Sequence, residues 1–390
     1  MCALSTAGFQ FATAGSIIFG RGRLEDVPPW VAARAGQVLL ATGSHPERAS
    51  GLRDALDRAG LSTTVWKVAG EPTTDLLLEG VDVARQAGCD ALVAMGGGSV
   101  IDAGKAVAAM LANEGSPYDY LEVVGMGKQL ERPSVPCVAV PTTAGTGAEV
   151  TRNAVLRSPK HGVKVSMRSP FLLPDLALVD PQCTDTMPPA LTASTGLDAL
   201  TQLLEAFVSQ MANPLTDGIC REGLSRIGRA LPRAYENGRD KDARDQMALA
   251  SLFSGLALAN AKLGAVHGFA GPIGGMFPAA HGLACASLLP HVCVANVEKM
   301  RASDPDSPAL RRYAEAFRRL SGREQISIEQ GLDWIKELCV ALQTPSLQGL
   351  GIEEEDLQEV VEKAGNSSSM KGNPAELNED EMLSILRTAL

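Results

Sequence analysis

Short apolar runs alternate with amphipathic stretches through the first half of the chain. Val38-Leu39-Leu40-Ala41-Thr42 ends in Gly43-Ser44, and an amphipathic segment follows over 46–59. Residues 63–67 read as a strand and 75–87 repeat the helical period. Residues 91–95 form another apolar run that meets three glycines and then a helix continuing to Ala112. Cys137-Val138-Ala139-Val140 ends in Pro141-Thr142-Thr143. Buried strands separated by helices of this length predict βαβ units and a mostly parallel sheet. A hairpin-like piece near 10–19 is expected to add to an edge.

The pattern changes near Thr186. Apolar residues recur at helical spacing over 190–210, 215–235, 243–261, 309–320, 328–342, 353–363 and 379–390, and no strand signal of comparable strength follows Asp180. Thr186-Met187-Pro188-Pro189 reads as a helix start, because proline is tolerated in the first turn. The expected fold is therefore an α/β N-terminal domain over 1–184, with a mostly parallel, Rossmann-like sheet. An all-α C-terminal domain over 185–390 completes it.

Composition narrows the function. A 390-residue chain with 45% hydrophobic and 21% charged residues can bury two cores. A net charge of -10 with few Trp and Tyr argues against nucleic acid or an anionic membrane surface as partner. The apolar runs are too short to span a bilayer, and the N-terminus lacks the charged and apolar regions of a signal peptide. Eight cysteines without a CxxC pair read as reduced thiols of a cytoplasmic protein. No histidine is placed to suggest a catalytic thiol.

Three stretches carry candidate chemistry. Gly96-Gly97-Gly98-Ser99-Val100-Ile101-Asp102-Ala103-Gly104-Lys105 lies between a strand and a helix, where backbone N–H groups and the helix dipole favour a phosphate. It is not the dinucleotide fingerprint, since Ile101 stands at the third glycine, nor a P-loop, since Ala106 replaces Ser/Thr. A second turn, Thr142-Thr143-Ala144-Gly145-Thr146-Gly147, also follows a strand, and in open parallel sheets ligands sit at such carboxyl ends. Farther on, Asp198 and Gln202 are four residues apart on a helical stretch, and His267 and His281 flank a Gly/Pro-rich turn. One Asp, two His and a Gln oxygen would suit a divalent transition metal. Spacing alone leaves a solvated Asp and core histidines as the alternative.

Taken together, these stretches resemble the iron-containing (group III) alcohol dehydrogenase family, whose fold is shared with dehydroquinate synthase. The likeness also includes Phe19-Gly20, Lys164 in Gly162-Val163-Lys164-Val165, Leu173-Pro174-Asp175, Asn213-Pro214-Leu215-Thr216-Asp217 and the stretch 267–290. The resemblance implies that Gly97, Gly98 and Ser99 bind the pyrophosphate of NAD or NADP, with Asp102, Thr142, Thr143, Thr146 and Thr151 around the cofactor and Lys164 near its ribose. It implies that Asp198, His267 and His281 hold a catalytic divalent metal: iron, with zinc or manganese as alternatives. The substrate would be a small alcohol or aldehyde, and the assembly a homodimer or larger.

Three positions depart from the family pattern. Gln202 stands where the family has a histidine ligand, a weaker donor that would favour harder ions. Gly271 stands where many members have a further histidine, which opens space beside the nicotinamide. Gly43 replaces an aspartate that repels the 2′-phosphate, so NADP should be tolerated. Two further readings stay open: a redox-inactive nucleotide-binding homologue, and a dehydroquinate synthase-like lyase that uses NAD transiently. The latter would need several basic residues near 260–290, where only Lys262 is found.

Overall fold

Continuous buried runs, rather than alternating ones, build the sheet, as expected where helices cover both faces. In the computed structural model, which describes residues 8–161 and 163–390, they form β1 (Ser16–Phe19), β2 (Gln37–Thr42), β3 (Ser62–Lys67), β4 (Ala91–Gly96), β5 (Cys137–Pro141) and β8 (Leu176–Val179). Their order is β1-β8-β5-β4-β2-β3, with every pairing parallel. Helices α1 (Val27–Ala32), α2 (Ser50–Arg58), α3 (Thr74–Gln86), α4 (Gly98–Ala112) and α5 (Pro117–Tyr120) connect them. A separate antiparallel pair, β6 (Asn153–Ser158) and β7 (Val163–Arg168), follows β5. The described residues divide into two compact units, Ala12–Asp185 and Thr186–Leu390, with residues 8–11 grouped with the second.

The edge expected of residues 10–19 is present, but not as a hairpin. Only β1 forms, parallel to β8, with Ser16 opposite Leu176 and Phe19 opposite Val179. The Gly15 and Ser16 N–H groups already donate to the Pro174 and Asp175 carbonyls, which fixes the preceding backbone along the sheet edge instead of folding it back.

A buried ammonium ties α4 to the segment after β5. Lys105 is 1% exposed. Its Nζ lies 2.9 Å from the Ala148 carbonyl, 3.0 Å from Thr151 Oγ1, 2.5 Å from the Asn153 carbonyl and 2.9 Å from Asp102 Oδ1. Asp102 Oδ2 in turn accepts from the Val155 N–H at 3.0 Å. A buried charge is tolerated only when paired and hydrogen-bonded in this way.

The second unit is helical: α6 (Pro189–Val208), α7 (Pro214–Glu236), α8 (Lys241–Asn260), α9 (Ala265–Met276), α10 (His281–Ser303), α11 (Pro308–Ser321), α12 (Ile328–Ala341), α13 (Leu357–Gly365) and α14 (Glu379–Ala389). Helix α6 is apolar nearly all round and packs against α7, α8 and α10, as a core helix must. The Gly/Pro-rich turn expected between His267 and His281 is instead mostly helix α9, with Pro272 inside it. Intrinsic propensity loses there to burial: Val266, Phe269, Ala270 and Ile273 are all at most 1% exposed, and packing outweighs the backbone cost of glycine and proline. No single helix among the described residues is long and apolar enough to cross a membrane; α8 and α9 meet the test only as a pair bent by 95°.

Removing the Lys105 charge leaves Asp102 without its ion pair and carbonyls without their donor. Lys105→Met is expected to cost about 3 kcal/mol, read as faster hydrogen exchange at β4 and β5 amides. Unchanged exchange would contradict the role given to this ammonium.

Candidate functional site

Strands β2, β4 and β5 are neighbours, so their carboxyl ends bring distant residues together. Gly43 follows β2, Gly97 follows β4, and Thr142 follows β5 and donates its N–H to the Gly96 carbonyl at 2.9 Å. The chain runs outward from β2 to β3 and then returns to β4 on the other side of β2, the kind of reversal where open α/β sheets bind ligands. Helix α4 begins there without a side-chain cap, and its Val100 N–H donates to the Gly97 carbonyl at 3.0 Å. Gly97, Gly98, Ser99, Thr142, Thr143 and Thr146 are all partly exposed around this helix start. Gly98 is demanded by the protein itself: a Cβ there would lie 2.6 Å from Thr146 Oγ1, so glycine lets the second turn close on the first. A Cβ at Gly43 would meet only Val100 at 3.9 Å, so no steric reason keeps a side chain from that position.

Three expected cofactor residues are placed differently. Asp102 and Thr151 belong to the Lys105 network, with Thr151 3% exposed and its hydroxyl already engaged by Lys105 and the Ala148 carbonyl. Their polar atoms thus have partners within the protein, and Asp102 keeps 14% of its side chain exposed. Lys164, on β7, pairs with Glu71 at 2.5 Å.

In the helical unit, Asp198, Gln202 and Glu205 occupy one face of α6 at spacings of four and three. His267 sits in the first turn of α9 and His281 is the first residue of α10. Two close contacts draw these helices together. The Glu205 carboxylate accepts the Val266 N–H at 2.7 Å and contacts His267 Nδ1 at 2.6 Å, so it caps α9 and fixes the imidazole at once. At the start of α10, a Cβ on Gly282 would lie 2.3 Å from the Ser194 carbonyl, so only glycine allows α10 to approach α6 this closely.

The result is convergence. His267 Nε2 lies 3.3 Å and His281 Nε2 3.9 Å from Asp198 Oδ1. Cys285, one turn along α10 from His281, places its Sγ 3.8 Å from both imidazole nitrogens. The ligand atoms of Asp198, His267, His281 and Cys285 all lie within 4.8 Å of one another. Four donors on a tetrahedron at bond lengths of about 2.0–2.3 Å stand about 3.3–3.8 Å apart, close to the separations found here. The set fits a divalent transition metal. The Asp198 and His267 side chains are 3% and 7% exposed, whereas that of His281 is 38% exposed, so the cluster opens on the His281 side.

Electrostatics reinforce the geometry. Burial penalises the Asp198 carboxylate, yet the hydrogen bond from His267 and the nearby imidazoles hold its pKa below the ordinary value. The Cys285 thiol, also penalised by burial, is likewise lowered because His267 and His281 face it. Burial opposes charge on His267, but Cys285 and Asp198 raise it well above the usual imidazole value; Cys285 is the main cause of the rise at His281. Two groups that favour the anion facing two imidazoles are the charge complement of a divalent cation.

Gln202, the expected fourth donor, has partners within the helical packing. It is 3% exposed, its Oε1 accepts from Ser254 Oγ at 2.8 Å, and its side chain also hydrogen-bonds Asp198. Cys285 and Glu205 are not among the expected site residues, and two histidines do stand beside the Cys285 thiol, where the sequence placed none to suggest a catalytic one. A signal exists in the sequence: His281 and Cys285 are four apart, one turn of a helix, which here begins at His281 directly after a Gly/Pro-rich stretch. A Cβ built on Gly271 meets nothing within 4 Å, so the space expected there is open. His291, farther along α10, is outside the cluster.

Comparison with known proteins places this arrangement. Residues 14–181 match the model of the iron-containing alcohol dehydrogenase family, and residues 192–390 match the model of its C-terminal region. A 1,3-propanediol dehydrogenase from Klebsiella pneumoniae is 37% identical, covering 86% of this chain and 85% of its own. The crystal structure of a 1,3-propanediol oxidoreductase superposes with a TM-score of 0.90 at 32% identity, covering 98% of this chain and all of the other. That of a sulfoacetaldehyde reductase from Bifidobacterium kashiwanohense in complex with NAD+ gives 0.87 at 29% identity, over 98% and 99% of the two chains. The chain belongs to the iron-containing alcohol dehydrogenase family, and is a metal- and nicotinamide-linked oxidoreductase that interconverts an alcohol with its carbonyl compound.

Proposed function

We propose that Asp198, His267 and His281 hold the divalent metal, and that the turns at Gly97-Gly98-Ser99 and Thr142–Thr146 hold the dinucleotide. The observation that carries this reading is the approach of both imidazoles to one Asp198 oxygen in a buried pocket open on the His281 side. A divalent ion bound there supplies Lewis acidity to the substrate oxygen, and the nicotinamide supplies the hydride chemistry. The chain does the rest by positioning. Glu205 holds the Nδ1 proton of His267, leaving Nε2 to donate its lone pair. Gly271 leaves room for substrate or for a water that carries the proton.

The first turn of α4 receives the pyrophosphate through backbone N–H groups, with the Thr142, Thr143 and Thr146 hydroxyls beside it. Asp102 and Thr151 support that turn from behind through Lys105. Gly43 presents no carboxylate near the adenosine ribose, so NADP as well as NAD is accepted. The substrate is a small alcohol or aldehyde, and the enzyme is a cytoplasmic homo-oligomer. A redox-inactive homologue is disfavoured by the cluster itself, since burying Asp198 and Cys285 beside two imidazoles is costly unless a cation is to be held.

Asp198→Ala should abolish metal retention and lower alcohol oxidation by about a thousandfold or more, while NADH binding followed by fluorescence stays unchanged. Equal turnover by mutant and parent would refute the metal role. Glu205→Gln should weaken metal affinity by about 10–100-fold in chelator competition; no change would mean that His267 orients itself. Gly43→Asp should raise the KM for NADPH by about tenfold and leave that for NADH alone, as steady-state kinetics would show; parallel changes would rule out charge repulsion as the cause.

A further inference from the structure

We infer that the Cys285 thiolate, and not the Gln202 amide, is the fourth protein donor of the metal site. The inference rests on the metal reading above and adds a ligand to it.

The geometry separates the two candidates. Cys285 Sγ is 3.8 Å from His267 Nε2 and 3.8 Å from His281 Nε2. A tetrahedral site whose metal–sulfur bond is about 2.3 Å and whose metal–nitrogen bonds are about 2.0–2.1 Å sets S···N separations of about 3.5–3.6 Å, a few tenths of an ångström shorter. The sulfur thus stands at an apex of the same figure as the two imidazoles and Asp198 Oδ1, within 4.8 Å of each. It is also buried: Cys285 is 0% exposed, and among the described residues its sulfur contacts the His267 and His281 nitrogens. Gln202 shares the α6 face with Asp198, but its oxygen accepts the Ser254 hydroxyl at 2.8 Å, within the helical packing. To ligate, it would have to turn from Ser254, whose hydroxyl also has the Ser251 carbonyl at 2.8 Å.

Helix geometry explains how a cysteine can take over. His281 and Cys285 are at i and i+4 on α10, so both point to one face a turn apart. The pair supplies two ligands from one rigid element, and the close approach of α10 to α6 at Gly282 aims both at Asp198. A donor lost from α6 is replaced by one on α10 without moving either helix.

The consequence for metal choice runs against a reading based on Gln202. An amide oxygen favours hard ions, whereas a thiolate favours Zn, Co and Fe(II) over Mn and Mg. One carboxylate and one thiolate also balance the two charges of the ion, a balance that a site with an amide donor would lack.

The test uses the purified full-length protein, stripped by a chelator and reloaded with Co(II). A thiolate ligand gives an intense near-ultraviolet sulfur-to-cobalt charge-transfer band. The parent and Gln202→Leu are expected to show that band at one equivalent of cobalt, and Asp198→Ala to lose it. Cys285→Ser should lose the band and bind cobalt about a hundredfold more weakly, with its melting profile confirming that it folds. Should Cys285→Ser not fold, the parent spectrum alone decides the ligand. Cobalt bound by the parent without a charge-transfer band, or a band abolished by Gln202→Leu at full cobalt occupancy, would overturn the cysteine assignment and leave the metal site standing. Failure of the parent to bind cobalt at all would overturn the metal reading and this inference with it.

Discussion

One carboxylate joins fold to chemistry in this protein. Glu205, buried on α6, accepts a backbone N–H at the start of α9 and engages His267 Nδ1 in the same helix turn. The first contact satisfies a helix end that burial would otherwise leave costly. The second sets which imidazole nitrogen faces Asp198. Neither can be altered without the other, so the position of α9 and the orientation of His267 are a single structural fact. The neighbouring Ala265 N–H is satisfied in a similar way by Asn373 Oδ1, which ties the far C-terminal segment to the same helix start.

Both units handle buried charge by the same logic. In the α/β unit, Lys105 is surrounded by Asp102, a hydroxyl and backbone carbonyls, so its charge is spent within the scaffold. It ties α4 to the segment after β5. In the helical unit, the acidic groups of Asp198 and Cys285 face imidazoles that burial alone would keep neutral. There the four groups lie close enough that they could hold a cation in place of protons. A satisfied network holds a structure together; an exchangeable one can take a ligand.

Much of the architecture could be read directly from the chain. Strands β2, β4 and β5 announced themselves as short apolar runs ending in Gly or Thr, and α6, α7, α8, α11 and α12 as periodic apolar faces, because burial imposes those periods wherever a strand or helix meets a core. The same reading gave Asp198, His267 and His281, since these residue types are scarce in the chain and their stretches resemble a known family.

What the chain alone left open depended on long-range contacts. Helix α9 was hidden because glycine and proline lower local helix propensity, and only its burial against α10 and α13 restores it. With α9 and the start of α10 unassigned, Cys285 had no frame in which to lie beside His281, and spacing and resemblance pointed to Gln202 alone as a fourth donor. Asp102 and Thr151 looked available for a ligand because nothing local shows that Lys105 reaches across to both. Sequence determined which groups could do chemistry, through residue type and period. Tertiary structure decided which of them meet, because hydrogen-bond partners and donor separations of a few ångströms are set by how helices pack, and no local pattern encodes that packing.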